Sequence, residues 1–201
     1  MGHPSQPYVV AAVLAAGRST RMGEANKLLE QWEGKPLVAH VVDAALACEA
    51  FDAVVVVTGH QASNVEAVLG QGVRTIHNPN YFTGMASSLK TAINWADQQG
   101  ADGVLVLLGD MPLVGTAQMD EICALFAELG NDAIVQATNR GKPGNPVLLP
   151  RLLFCELMRI DGDRGARSII DAHKKRVVPL EIGIAAARDF DTPEAFAKSE
   201  D

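Results

Sequence analysis

Three cations crowd one short stretch of the chain. Arg18, Arg21 and Lys27 lie in Gly17-Arg18-Ser19-Thr20-Arg21-Met22-Gly23-Glu24-Ala25-Asn26-Lys27-Leu28. The apolar run Tyr8–Leu14 empties into this segment through Ala15 and Ala16. Small residues let a backbone approach a ligand closely, and backbone N–H groups beside Arg and Lys suit a polyphosphate. The segment reads as a cradle for a nucleoside triphosphate; a basic surface loop between strand and helix is the alternative. Two familiar phosphate motifs are excluded. A Walker A loop needs glycine where Met22 stands, and Gly23 comes one place later, followed by Glu24. A dinucleotide fingerprint needs glycine at Ser19 and Met22.

The rest of the chain gives that cluster its context. The 201 residues carry a net charge of −7, so a general nucleic-acid or anionic-membrane surface is not expected. An anionic substrate must therefore meet a local positive patch. At 48% hydrophobic and 20% charged, the composition is that of an ordinary globular protein. No apolar stretch approaches the roughly 20 residues of a membrane span. Cys48, Cys123 and Cys155 are odd in number, far apart and in apolar helical contexts, which predicts buried, reduced thiols and a cytoplasmic setting. Residues 1–7 are expected to be a disordered or appended start, and 8–201 one domain. The five histidines show no pairing that suggests zinc or a triad.

The positioning elements follow from periodicity. Strand-like runs are Tyr8–Leu14, Ala53–Thr58, Val73–Ile76, Gly103–Leu108 and Ala133–Ala137, with weaker ones at Pro146–Leu149 and Arg176–Leu180. Most are continuously apolar, as strands covered on both faces are. Helical patterns alternate with them at Leu37–Ala47, Ala62–Leu69, Ser87–Gln98, Ala117–Leu129, Arg151–Arg159, Ala166–His173 and Pro193–Lys198. The predicted fold is a three-layer α/β/α sandwich around a mostly parallel, Rossmann-like sheet. Ligands of such sheets bind beyond the carboxyl ends of the strands.

The residues just after the strands are therefore the ones that count. Asp110, in Gly109-Asp110-Met111-Pro112, can hold Mg²⁺ together with phosphate oxygens, or simply form a turn. Asp191, in Asp189-Phe190-Asp191-Thr192-Pro193, can supply the second metal carboxylate or cap the next helix. Thr83-Gly84-Met85-Ala86-Ser87-Ser88 opens a helix whose free N–H groups, with Gly84 and the two serines, suit a base edge or a phosphate; an ordinary cap is the alternative. Two late loops, Gly141–Pro146 and Asp161–Arg167, carry Lys142, Arg164 and Arg167. These could face a second anionic substrate or form plain turns.

In this order, L-A-A-G-R-S-T-R-M-G-E-A-N-K-L-L, T-G-M-A-S-S-L-K, G-D-M-P, G-K-P-G-N-P, G-D-R-G-A-R and D-F-D-T-P-E resemble the nucleotidyltransferases of molybdenum cofactor maturation. The resemblance runs from Leu14 to Phe196 and is to the cytidylyltransferase branch, similar in fold to guanylyltransferases and nucleotide-diphospho-sugar transferases. It implies that Arg21 and Lys27 lie on the triphosphate, with Ala15, Ala16, Gly17 and Arg18 near the nucleotide and Gly84 and Ser88 near the base. It matches Asp110 and Asp191 to the carboxylates for Mg²⁺ or Mn²⁺, and turns Lys142, Asn145, Arg164 and Arg167 toward the pterin phosphate. The guanylyl branch has L-A-G-G where this chain has Ala15-Ala16-Gly17, which points to CTP. The implied reaction joins CMP to the terminal phosphate of molybdenum–molybdopterin and releases pyrophosphate, with transient contact to a molybdoenzyme or its chaperone. Guanylyl transfer, transfer to another phosphorylated small molecule, and a non-catalytic cofactor carrier are the alternatives.

Overall fold

The fold is seen in a computed structural model that describes residues 6–18 and 26–188. Arg21, Asp189, Asp191 and the helix expected at Pro193–Lys198 lie outside the described residues, as do residues 1–5.

Among the described residues the strands are β1 Val9–Ala15, β2 Gln31–Trp32, β3 Lys35–Pro36, β4 Ala53–Thr58, β5 Thr75–His77, β6 Gly103–Leu108, β7 Ile134–Asn139, β8 Lys142–Pro150 and β9 Val177–Glu181. The helices are α1 Leu37–Ala47, α2 Ala62–Ala67, α3 Met85–Gln99, α4 Thr116–Glu128, α5 Phe154–Leu157 and α6 Arg167–Ala172. Seven strands make one sheet in the order β5-β4-β1-β6-β8-β7-β9, and β2 and β3 make a separate small hairpin. In the large sheet β1–β4, β1–β6, β4–β5 and β7–β9 pair in parallel, while β8 runs antiparallel to both its neighbours.

Alternation inside the apolar strands explains the layers. Val9, Ala11, Val13 and Ala15 face one side, with Val41 and Val42 of α1, Val65 of α2, and Met119, Ile122 and Phe126 of α4. Val10 and Ala12 face the other, with Leu89 and Ile93 of α3 and Phe154 and Leu157 of α5. Ile169 and Ile170 of α6 pack on that second core. A continuous hydrophobic strand is what a two-sided burial demands. The fold is the α/β sandwich that the sequence predicts.

Two segments depart from expectation. Gly141–Pro146 is not a loop but the first part of β8, which returns along β7 after a tight turn at Arg140 and Gly141, both at positive φ. Register jumps from Gln136↔Val147 to Thr138↔Pro143, so Gly144, Asn145 and Pro146 bulge opposite Ala137 alone. Pro146 is tolerated within β8 because a bulge needs no ladder N–H. Gly144 is fixed by proximity: a Cβ there would lie 2.0 Å from the Ala186 carbonyl oxygen. Arg151–Arg159 is not one helix but a 3-10 turn, Arg151–Leu153, followed by the single turn of α5. Among the thiols, Cys48 and Cys123 are buried as expected, whereas Cys155 is exposed. Burial pushes both buried thiols up to about 12, so neither is a nucleophile at neutral pH. Among the described residues, no helix is long and apolar enough to cross a membrane.

Candidate functional site

From β1 the chain works outward through β4 and β5, then α3 carries it back to β6 on the other side of β1. The carboxyl ends of β1 and β6 thus flank the point where strand order reverses, the place where open α/β sheets bind ligands. Gly109 donates its N–H to the Leu14 carbonyl at 3.1 Å, and His60 donates its N–H to the Ala16 carbonyl at 3.2 Å. These bonds tie the exits of β6 and β4 to the exit of β1. Ala15 and Ala16 are buried there, and Gly17 and Arg18 emerge exposed.

Lys27 and Asp110, 83 residues apart, meet at this reversal point: the Lys27 ammonium donates to Asp110 Oδ2. Their side chains are only 16% and 14% exposed. Lys27 opens a 3-10 turn, Lys27–Leu29, that Asn26 caps by accepting the Leu28 N–H on Oδ1 at 3.2 Å. The cradle's cation and the post-strand carboxylate therefore share one shielded spot. A carboxylate oxygen is the donor that a hard divalent ion takes, and Mg²⁺ ordinarily completes its shell with water and phosphate. The described residues hold no group of three or more metal-ligating side chains, so such an ion here needs oxygens from a nucleotide or from residues outside the described ones.

The segment opening α3 is built around Asn78, a residue that periodicity does not pick out. Asn78 is buried; its Nδ2 donates to the Ser87 and Ser88 hydroxyls at 2.8 and 3.0 Å, and its Oδ1 accepts the Asn80 N–H at 3.0 Å. Asn78-Pro79-Asn80 is a turn signal in the sequence, which is the only local hint of this buttress. Ser88 is buried with its hydroxyl engaged, while Gly84 adopts φ 111°, a conformation that favours glycine. The N–H of Ala86, expected to be free, donates instead to the Gly162 carbonyl at 2.9 Å. This bond docks the late loop of Arg164 against the start of α3. Arg164 and Arg167 are exposed, and Lys90 anchors the same loop through Asp161 at 2.9 Å. Phe82 stands exposed on this rim, edge-on to Tyr81 with ring centroids 6.0 Å apart.

On the far side of β6, Lys142 and Asn145 lie on the early part of β8. Because β8 is antiparallel, its start comes to the same rim as Asp110. Glu181, at the end of β9, holds the β7–β8 turn. It accepts the N–H groups of Gly141 at 3.0 Å, Arg140 at 2.8 Å and Gly183 at 3.2 Å, and the Thr138 hydroxyl at 2.9 Å. These bonds, Gly141's foremost, hold its carboxyl below the usual glutamate range. A lowered folded-state value stabilises the fold above the ordinary glutamate pKa and loses that contribution as pH falls through the folded value. Urea unfolding should therefore show wild type more stable than Glu181→Gln at pH 7. The gap should close as the pH drops below about 4, and a gap that persists at pH 2 would contradict the assignment.

A family model described as MobA-like NTP transferase domain matches residues 11–177. The chain belongs to that family. It is 32% identical to the bifunctional protein GlmU of Sorangium cellulosum over 90% of its own length, but spans only 38% of that protein. It is 26% identical to the molybdenum cofactor cytidylyltransferase of Escherichia coli, covering 92% of this chain and 91% of that one. The crystal structure of Rv0371c from Mycobacterium tuberculosis superposes with a TM-score of 0.80 at 26% identity, covering 96% and 97% of the two chains. The manganese complex of Rv0371c gives 0.77 at 25% identity, covering 94% and 96%. As a MobA-like domain, the chain has the architecture of these neighbours from β1 into β9, with Lys27 and Asp110 both inside the matched span.

Proposed function

We propose that this protein transfers CMP from CTP to the terminal phosphate of the molybdopterin cofactor, releasing pyrophosphate with the help of Mg²⁺ or Mn²⁺. The observation that carries the reading is the meeting of Lys27 and Asp110 where the strand order reverses. Arg21 and Lys27 bind the triphosphate, and Ala15, Ala16, Gly17 and Arg18 line the nucleotide. Gly84 and Ser88 shape the base side. Asp110 and Asp191 hold the divalent ion. Lys142, Asn145, Arg164 and Arg167 face the acceptor phosphate. The end-to-end match to the E. coli cytidylyltransferase supports this acceptor, since the chain spans little more than a third of the GlmU protein. The manganese complex of Rv0371c supports a divalent ion.

The chemistry asks little of a general base. A phosphate monoester carries about −1.5 to −2 charge at neutral pH, so the attacking oxygen is already ionised. Its oxygen bonds to the α-phosphorus as the bond between that phosphorus and the α,β-bridging oxygen of the triphosphate breaks, and that oxygen leaves with pyrophosphate. The difficulty is to align two polyanions, and the cations on this rim offset their repulsion. A bound divalent ion adds charge neutralisation on the triphosphate. Lys27 serves the leaving group: its ammonium exchanges the Asp110 carboxylate for phosphate oxygens. Lys27→Ala should lower kcat/KM about a hundredfold; unchanged steady-state kinetics would remove Lys27 from the site.

The test is pyrophosphate release with CTP, GTP, UTP or ATP in the presence of molybdopterin. Release that needs CTP, molybdopterin and Mg²⁺ together is the expected result. A second reading, nucleotidyl transfer to another phosphorylated small molecule, is favoured by the 32% identity to GlmU. It predicts release with a sugar phosphate and none with molybdopterin.

A further inference from the structure

We propose that Asn26 is a further nucleotide-binding residue, donating from its side-chain amide Nδ2 to an oxygen of the bound triphosphate. The inference rests on the nucleotidyl-transfer reading above and adds a donor to it. Asn26 is 5% exposed, and its Nδ2 is buried without a hydrogen-bond partner. The orientation of the amide is not arbitrary. Oδ1 accepts the Leu28 N–H, and turning the amide over would set two donors against each other. The unpaired NH₂ is therefore a real feature of the fold, and buried donors are ordinarily satisfied.

Capping alone does not explain asparagine here. Serine caps such a turn equally well and brings no amide donors. The unmet NH₂ must have another use, and its neighbours say which. Asn26 is the residue before Lys27, and its carbonyl accepts the Leu29 N–H at 2.9 Å, so the amide and the ammonium are carried on one short turn. An amide NH₂ only donates, so its partner must be an acceptor. In a shielded place beside a cation, an anionic oxygen makes the strongest such bond. A triphosphate that draws Lys27 from Asp110 would bring its oxygens to this turn, one residue from the Asn26 amide.

Calorimetric titration with CTP and with inorganic tripolyphosphate, in excess chelator, tests this. Asn26→Ser keeps a capping oxygen and removes the amide donors. It should weaken both ligands about tenfold, with a thermal midpoint of the free protein no lower than wild type. Asn26→Asp keeps the shape and the cap but sets a carboxylate against the phosphate, so it should bind both ligands more weakly still. Wild-type affinity in both variants overturns the inference alone. So does an Asn26→Ser protein that melts earlier yet binds normally, because that result marks a purely structural residue. A wild-type protein that binds neither CTP, GTP, UTP nor tripolyphosphate overturns the nucleotidyl-transfer reading, and this inference with it.

Discussion

Asp110→Ala should cut pyrophosphate release about a thousandfold or more while leaving the fold intact. Two effects combine. On the proposed reading the divalent ion loses a carboxylate in a shielded position, and Lys27 loses the group that it pairs with at the reversal point between β1 and β6. The substitution removes no core packing, since Asp110 lies on the rim beyond β6 and is absent from both hydrophobic cores. Far-ultraviolet circular dichroism and the unfolding midpoint should stay close to wild type. Turnover within a few-fold of wild type would show that Asp110 holds no ion; a collapsed fold would show that its ion pair with Lys27 is structural.

Gly84→Ala should be strongly damaging where α3 meets the late loop. The new Cβ would lie 2.5 Å from Asp163 Oδ1 and 2.6 Å from the carbonyl carbon and oxygen of Gly162. At φ 111° an alanine is strained even without neighbours. Asp163 can swing away, but the Gly162 backbone is held by the Ala86 N–H. The two loops must separate or the start of α3 must shift, at a cost of roughly 2–5 kcal/mol. Chemical denaturation measures that loss. Because Arg164 rides on the displaced loop, the KM for the acceptor should rise more than the KM for the nucleotide. A variant of wild-type stability would show that this junction yields easily.

What the sequence makes legible here follows from how each residue is used. β4, β6 and α1 have the bounds that their apolar runs predict, because burial on two faces or one leaves a periodic trace. β8 is hidden by Pro143, Gly144 and Pro146, which read as a loop but lie in a strand, the last two within its bulge. Lys27 and Asp110 stand out because each follows a recognisable strand and carries a charge. Their contact is legible only through the parallel topology that places β1 beside β6. Asn26, Asn78 and Glu181 are harder to see. Each acts through single hydrogen bonds to backbone or hydroxyl groups, and such bonds impose no spacing on a sequence. Asp191 and Arg21 lie outside the described residues, so their roles rest on the resemblance and on the carboxylate and cation chemistry that a triphosphate requires.

The most direct measurement is a crystal structure with CTP and Mn²⁺, the ion located by its anomalous scattering. One manganese is expected, bound by carboxylate oxygens of both Asp110 and Asp191 and by triphosphate oxygens, with Lys27 moved from Asp110 onto the phosphates. Manganese bound away from Asp110, or a triphosphate seated elsewhere than beyond β1 and β6, would contradict it.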